Sequence, residues 1–174
     1  MSAAAHPIHP LLAPLAQLAK AVCSTPTAQC RDALATGMRR TIAAKEGWLR
    51  PEHRIGDPTA YMRHLLYTDA DGDFVITVIT WLPGQQSPVH GHRVWCAFGV
   101  VEGDLTEEQF TVAPGALPVL ATSTHLRAGE LAAQDFDGRA AHRVANRGSA
   151  TLVSLHLYGV SGERLTTGIN RVYA

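Results

Sequence analysis

Residues 83–103, PGQQSPVHGHRVWCAFGVVEG, decide how the chain is read. They hold His90 and His92 with one residue between them, Cys96 four residues later, and glycines at 84 and 103. Side chains two apart on a strand project to the same face, which is the spacing two imidazoles need to reach one metal ion. Pro88 ahead of the pair and Gly91 within it suit a strand mouth where the backbone bends. The plainer alternative is a histidine pair on the surface or satisfied within a core. The remainder of the sequence has to separate the two.

The composition is that of a globular protein. Of 174 residues, 46% are hydrophobic and 17% charged, enough to bury a core without disulfides or a structural metal. Acidic and basic residues number 15 each and the basic ones are scattered, which argues against a nucleic-acid partner. No apolar run approaches the roughly 20 residues of a membrane span. The Ala- and Leu-rich N-terminus has no basic residues ahead of its apolar part and is interrupted by Pro7, Pro10 and Pro14, so it reads as a helix rather than a signal peptide. Cys23, Cys30 and Cys96 have neither the count of a disulfide framework nor the spacing of a zinc knuckle. A reducing cytoplasm is the expected setting, with the protein a monomer or small homo-oligomer.

Apolar residues recur at helical spacing first, at Leu11, Leu12, Leu15, Leu18, Ala19 and Val22, and again at Ala33, Leu34, Met38 and Ile42. Ser24, Thr25 and Pro26 between the runs predict a helix stop and a new cap with proline near the first position. After Pro58 the pattern becomes short β-branched and aromatic runs, such as FVITVITWL and TLVSLHLYG, divided by turn signals at Asp71-Gly72-Asp73, Ala113-Pro114-Gly115 and Asn146-Arg147-Gly148. The expectation is one domain over residues 1–174: a helical part over about 8–50, then an all-β antiparallel barrel or jelly roll over about 60–174.

The order Gly84, His90, His92, Gly103 resembles the first cupin motif, with Cys96 where that motif has glutamate. Gly138, His142 and Asn146 resemble the second motif, whose Pro-x-Gly is loosened here to Asp135-Phe136-Asp137-Gly138. The resemblance implies a cupin barrel with N-terminal helices and a metal held by His90, His92 and His142. Three neutral imidazoles leave a divalent ion its full charge and favour anionic ligands from a substrate. Imidazole ligation suits iron, zinc, copper or nickel, so ligand type does not select the metal.

In Ser154-Leu155-His156-Leu157-Tyr158 polar residues alternate with leucines, so the serine, histidine and tyrosine share one strand face. Facing a polar cavity, they suit a relay from hydroxyl to imidazole to phenol. A solvated strand face is the bland counterpart. A Ser-x-His-x-Tyr run after a three-histidine cupin resembles the thiol dioxygenases, the family of cysteine dioxygenase and 3-mercaptopropionate dioxygenase, from Tyr61 to Tyr158. That resemblance implies Fe(II) on His90, His92 and His142, an outer triad of Ser154, His156 and Tyr158, and a reaction that places both atoms of O2 on the sulfur of a small carboxylate-bearing thiol to give a sulfinate. Gly91 departs from the aspartate the family commonly has between the two histidines.

Arg63 matches the arginine of cysteine dioxygenases, where the mercaptopropionate branch usually has glutamine, so cysteine is the favoured thiol. Its planar fork suits a carboxylate, and Tyr61 shares its strand face. Arg171 is a candidate second carboxylate contact, and with both arginines inward a mercaptosuccinate dioxygenase becomes the alternative to cysteine or 3-mercaptopropionate oxidation. Trp81 and Trp95 are expected to pack in the barrel, Trp95 lining the pocket. The resemblance also pairs Cys96 with Tyr158 for a thioether cross-link, against the simpler reading of a small buried side chain. The competing functions are a three-histidine lyase or isomerase using zinc or nickel, and a metal-binding cupin without turnover.

Overall fold

The computed structural model describes residues 7–132 and 141–173. Two helices open it. Helix α1 spans Ala13–Ser24 with proline in its first turn, and α2 spans Ala28–Ala43. Thr27 caps α2 by accepting a hydrogen bond from the Cys30 amide at 3.2 Å. Pro26 therefore precedes the cap instead of entering the first turn, and its fixed φ stiffens the connection. Leu15, Ala19 and Val22 on α1 and Leu34, Met38 and Ile42 on α2 are buried at three- and four-residue intervals, forming one apolar stripe per helix.

The strands follow as β1 (Met62–Thr68), β2 (Val75–Trp81), β3 (His90–His92), β4 (Cys96–Glu102), β5 (Asp104–Thr111), β6 (Val119–Arg127), β7 (Ala141–Ala145), β8 (Leu152–Tyr158) and β9 (Asn170–Val172). All pairings are antiparallel. They form a four-stranded sheet in the order β1-β2-β8-β4 and a five-stranded sheet in the order β6-β5-β7-β3-β9, the cupin-like jelly roll. Gly84 and Gly103 of the first motif have φ of +83° and +79°, and a Cβ at Gly103 would lie 2.9 Å from the Thr151 carbonyl oxygen, so the hairpin from β4 to β5 admits only glycine there.

The four-stranded sheet is covered on both faces. Ile76, Val78, Val153, Leu155 and Leu157 pack with α1 and α2. Val75, Ile79, Trp81, Phe98, Val100 and Tyr158 turn the other way, joining Leu105, Leu126 and Val144 of the second sheet. Every residue of β2 and β8 is buried as a result. This explains why FVITVITWL is continuously apolar, while the polar residues of β8 must face the interior of the barrel.

Candidate metal centre

Strand pairing assembles the three histidines. His90 and His92 share a face of β3, and His142 on β7 lies opposite His90 in register. Their candidate ligand atoms all fall within 4.8 Å of one another, and the three residues are only 6%, 4% and 6% exposed. Burial, with His142 alongside, pushes His90 down to about 4 and His92 to about 2, so both rings are neutral at pH 7 and offer lone pairs.

The outer nitrogens are held from behind. His90 Nδ1 lies 3.0 Å from the Pro88 carbonyl oxygen and 3.3 Å from Ser87 Oγ. Since the carbonyl only accepts, Nδ1 carries the proton and Nε2 is left for an ion. His142 Nδ1 lies 2.8 Å from Oε1 of Glu107, a carboxylate only 4% exposed. His142 Nε2 is buried with no hydrogen-bond partner among the described residues. A buried, unpartnered imidazole nitrogen beside two neutral imidazoles fits a metal ion far better than an empty polar cavity.

Sequence reading missed Glu107. It pairs with Val144, and His142 with Gln109, which makes Glu107 and His142 diagonal neighbours across two strands far apart in the chain. The available signal is phase: Glu107 falls in step with the buried Leu105, so an acid occupies an inward position of β5. Gly91 carries no comparable support, but Ser87, Pro88 and Glu107 supply it from elsewhere.

The cavity in front of the histidines is lined by Tyr61, Arg63, Cys96, His156 and Tyr158, with Trp81, Phe98 and Asn170 completing its wall. Tyr61 lies against Trp81 with ring centroids 4.3 Å apart and planes tilted by 30°. Arg63 lines the cavity, and its Nε is buried without a hydrogen-bond partner among the described residues. Behind the wall, Ser154 Oγ is 2.8 Å from His156 Nε2, and His156 Nδ1 is 3.0 Å from the Tyr158 hydroxyl. Phe98 lies flat on the His156 ring at 5.0 Å and 5°. Burial, then the Arg63 charge, holds His156 well below its ordinary value, and burial raises Tyr158 well above its own, so both are neutral.

Two sequence expectations end differently. Arg171 pairs with Gly91 on β9 and is exposed, on the face opposite the histidines; its neighbour Asn170, paired with His92, reaches the cavity instead. Trp95 lies against Gly159 and the helix-side core rather than in the pocket, because the chain passes from one sheet to the other between His92 and Cys96. Gly138 and residues 135–137 of the second motif lie outside the described residues, while His142 and Asn146 are in place. Asn146 is a buried turn support whose amide donates to the carbonyls of Trp81 and Ala150, both at 2.9 Å.

A family model described as cysteine dioxygenase type I matches residues 41–162, most of the chain and every histidine of the cluster. The chain belongs to that family. Its fold is similar to that of a double-stranded β-helix protein from Klebsiella pneumoniae, at TM-score 0.50 and 20% identity over 64% of this chain and 81% of that one. It is also similar to a cupin-superfamily sugar phosphate isomerase from Silicibacter pomeroyi, at TM-score 0.43 and 20% identity over 57% of this chain and 60% of that one. With the Lactobacillus farciminis oxalate decarboxylase the match is 16% identity and TM-score 0.49 over 67% of this chain and 32% of that one. At 20% identity what is shared with the Klebsiella pneumoniae protein is architecture, and the chemistry of this family member rests on its own residues.

Proposed function

We propose that the protein is a mononuclear iron(II) thiol dioxygenase that converts a small carboxylate-bearing thiol and O2 to the sulfinate, with cysteine favoured. What carries the reading is one buried cavity in which three clustered imidazoles face an arginine and a phenol backed by imidazole and serine. His90, His92 and His142 would hold the ion. Iron(II), when bound, supplies the redox chemistry that joins dioxygen to sulfur. Arg63 holds the substrate carboxylate, so the sulfur is fixed at the metal instead of rotating freely. Tyr158 donates a hydrogen bond into the cavity, held in place by His156 and Ser154. Tyr61, Trp81 and Phe98 wall the site from water.

Arg63 is the one Lys or Arg lining the cavity among the described residues, which favours a monocarboxylate thiol over mercaptosuccinate. A storage site needs ligands but no hydrogen-bond donor chain beside them, and Ser154, His156 and Tyr158 form one here. The test is oxygen consumption and sulfinate formation by iron-loaded protein with a panel of thiols. Coupled consumption with cysteine is expected. Full activity with stoichiometric zinc, or no thiol-dependent oxygen uptake, would overturn the proposal.

A further inference from the structure

The cavity holds a polar side chain for which neither the histidine cluster nor the series on β8 accounts. Asn170 on β9 lies directly opposite His92 on β3, and directly opposite residues of an antiparallel pair project to one face of the sheet, so the carboxamide stands beside a candidate ligand. Cβ atoms of such a pair are about 4.5 to 5.5 Å apart, which puts the amide within reach of a molecule bound next to the His92 ring. Arg63 comes to the same cavity from β1, the edge of the four-stranded sheet, and Asn170 from β9, the edge of the five-stranded one. The Asn170 backbone carbonyl accepts from Arg93 Nε at 3.3 Å, but among the described residues no hydrogen bond engages its carboxamide.

The neighbouring polar groups are committed or unsuited to accept. Trp81 Nε1 donates to Ser154 Oγ at 2.9 Å, and His156 is engaged at both nitrogens. Ser87 Oγ accepts from the Val144 amide at 3.1 Å and lies 2.9 Å from the Pro88 carbonyl oxygen. The Tyr158 oxygen already meets His156 at 3.0 Å, and the Cys96 sulfur accepts only weakly. Arg63 can only donate, Tyr61 belongs with it two residues away, and no carboxylate lines the cavity among the described residues. For a ligand group that brings N–H donors of its own, the Asn170 oxygen with its two lone pairs is the acceptor left.

We infer that Asn170 is a specificity-determining residue that reads the substrate's amino group, its Oδ1 accepting from that nitrogen while Arg63 takes the carboxylate and the histidine cluster faces the sulfur. The inference rests on the proposed function for the thiol and adds the amine to what the site recognises. Burying an N–H group without an acceptor carries a desolvation cost that a thiol acid lacking nitrogen escapes. One amide oxygen beside His92 removes that cost, and so turns the selection toward an α-amino thiol acid and away from its deaminated counterpart.

Thiol binding to cobalt(II)-loaded protein without oxygen, followed by the near-ultraviolet thiolate-to-cobalt charge-transfer band, tests this without turnover. In Asn170→Ala, cysteine and cysteamine should each bind roughly ten-fold more weakly, while 3-mercaptopropionate stays within about two-fold of wild type. Asn170→Ser, whose hydroxyl stops short of the amide oxygen's position, should lose the same selectivity and serves if the alanine variant does not fold. Unchanged cysteine binding in the folded variants would overturn the inference. Equal losses for cysteine and 3-mercaptopropionate would do so too, because they would make the Asn170 amide a donor to the carboxylate that both ligands share. Either result leaves the thiol reading standing. A wild-type protein that gives no thiolate band with any of the three ligands would remove that reading and this inference with it.

Discussion

Arg63 and Glu107 govern different properties of one cavity, the first acting on what enters and the second on what is held. Losing a charge-assisted carboxylate contact typically costs about 1.5 to 3 kcal/mol, so Arg63→Gln should lower kcat/KM for cysteine roughly ten- to hundred-fold. Cysteine should outcompete 3-mercaptopropionate in wild type, and cysteamine, with no carboxylate, should be poor. Equal turnover of cysteamine and cysteine would remove Arg63 from this role. Glu107 acts through His142, whose Nδ1 it engages at 2.8 Å. A carboxylate in that position fixes the tautomer and strengthens the ligand, and removing such a partner typically lowers metal affinity about 10- to 100-fold. Glu107→Gln should therefore bind iron more weakly in a competition titration, while His142→Ala should bind none; unchanged affinity in the glutamine variant would make Glu107 a bystander.

Between elements, register decides what meets. Cys96 on β4 lies directly opposite Tyr158 on β8, and both side chains line the cavity. The placement comes from the pairing of β4 with β8 and not from the spacing to His92, since β3 and β4 belong to different sheets and strand alternation does not carry across the intervening turn. From the observed register, a fraction of iron-loaded protein should acquire a Cys96–Tyr158 thioether during turnover: a C–S bond forms, one S–H and one ring C–H are lost, and dioxygen takes the two electrons. Intact-mass spectrometry should show a species lighter by two hydrogens, absent from Cys96→Ser and Tyr158→Phe, whereas an unmodified mass after many turnovers would leave Cys96 a space-filling side chain. At the far end of β4, Glu102 joins Arg54 and Lys45 of the connection that follows α2, with contacts of 2.8 Å to each. Arg54 first, then Lys45, hold its carboxyl at about 2 instead of the ordinary 4.5. That stabilisation is complete above the unfolded value and is lost as pH falls from about 4.5 toward about 2. With Lys45 and Arg54 side chains 29% and 34% exposed, screening reduces it to roughly 1 to 2 kcal/mol, so Glu102→Gln should unfold more readily at pH 7 and match wild type near pH 2. A pH-independent difference in denaturation midpoint would rule the ion pairs out as its source. The motif pairs His90 with His92 and Ser154 with His156 and Tyr158 were legible because each lies within one strand, where alternation is a local property. Glu107 against His142, Trp81 against Ser154 and the outward turn of Arg171 depend on which strands are neighbours, and single-strand periodicity carries none of that.

Across the molecule, β8 is the shared wall. Its leucines close the helix-side core and its polar residues close the metal site, yet the two depend differently on the ion. The helix-side cluster contains no ligand, and the barrel cluster is bounded by Trp81, Phe98, Leu105 and Val144, which pack without any contribution from a metal. A chain of 174 residues buries enough apolar surface to fold without one. Metal binding should therefore add stability by mass action instead of creating the fold: at free iron about 100-fold over the dissociation constant the gain is about 2.7 kcal/mol. For a protein of this size each kcal/mol moves Tm by about 2 to 4 °C, so chelation should lower Tm by roughly 5 to 11 °C. The far-ultraviolet circular dichroism of the chelated protein should stay native at 25 °C, and readdition of iron should restore the higher midpoint. Collapse of the spectrum on chelation would show that the three histidines hold the two sheets together as well as the ion, and would place the metal among the determinants of folding. A Tm unmoved by iron would show that the cluster does not bind it tightly enough to matter.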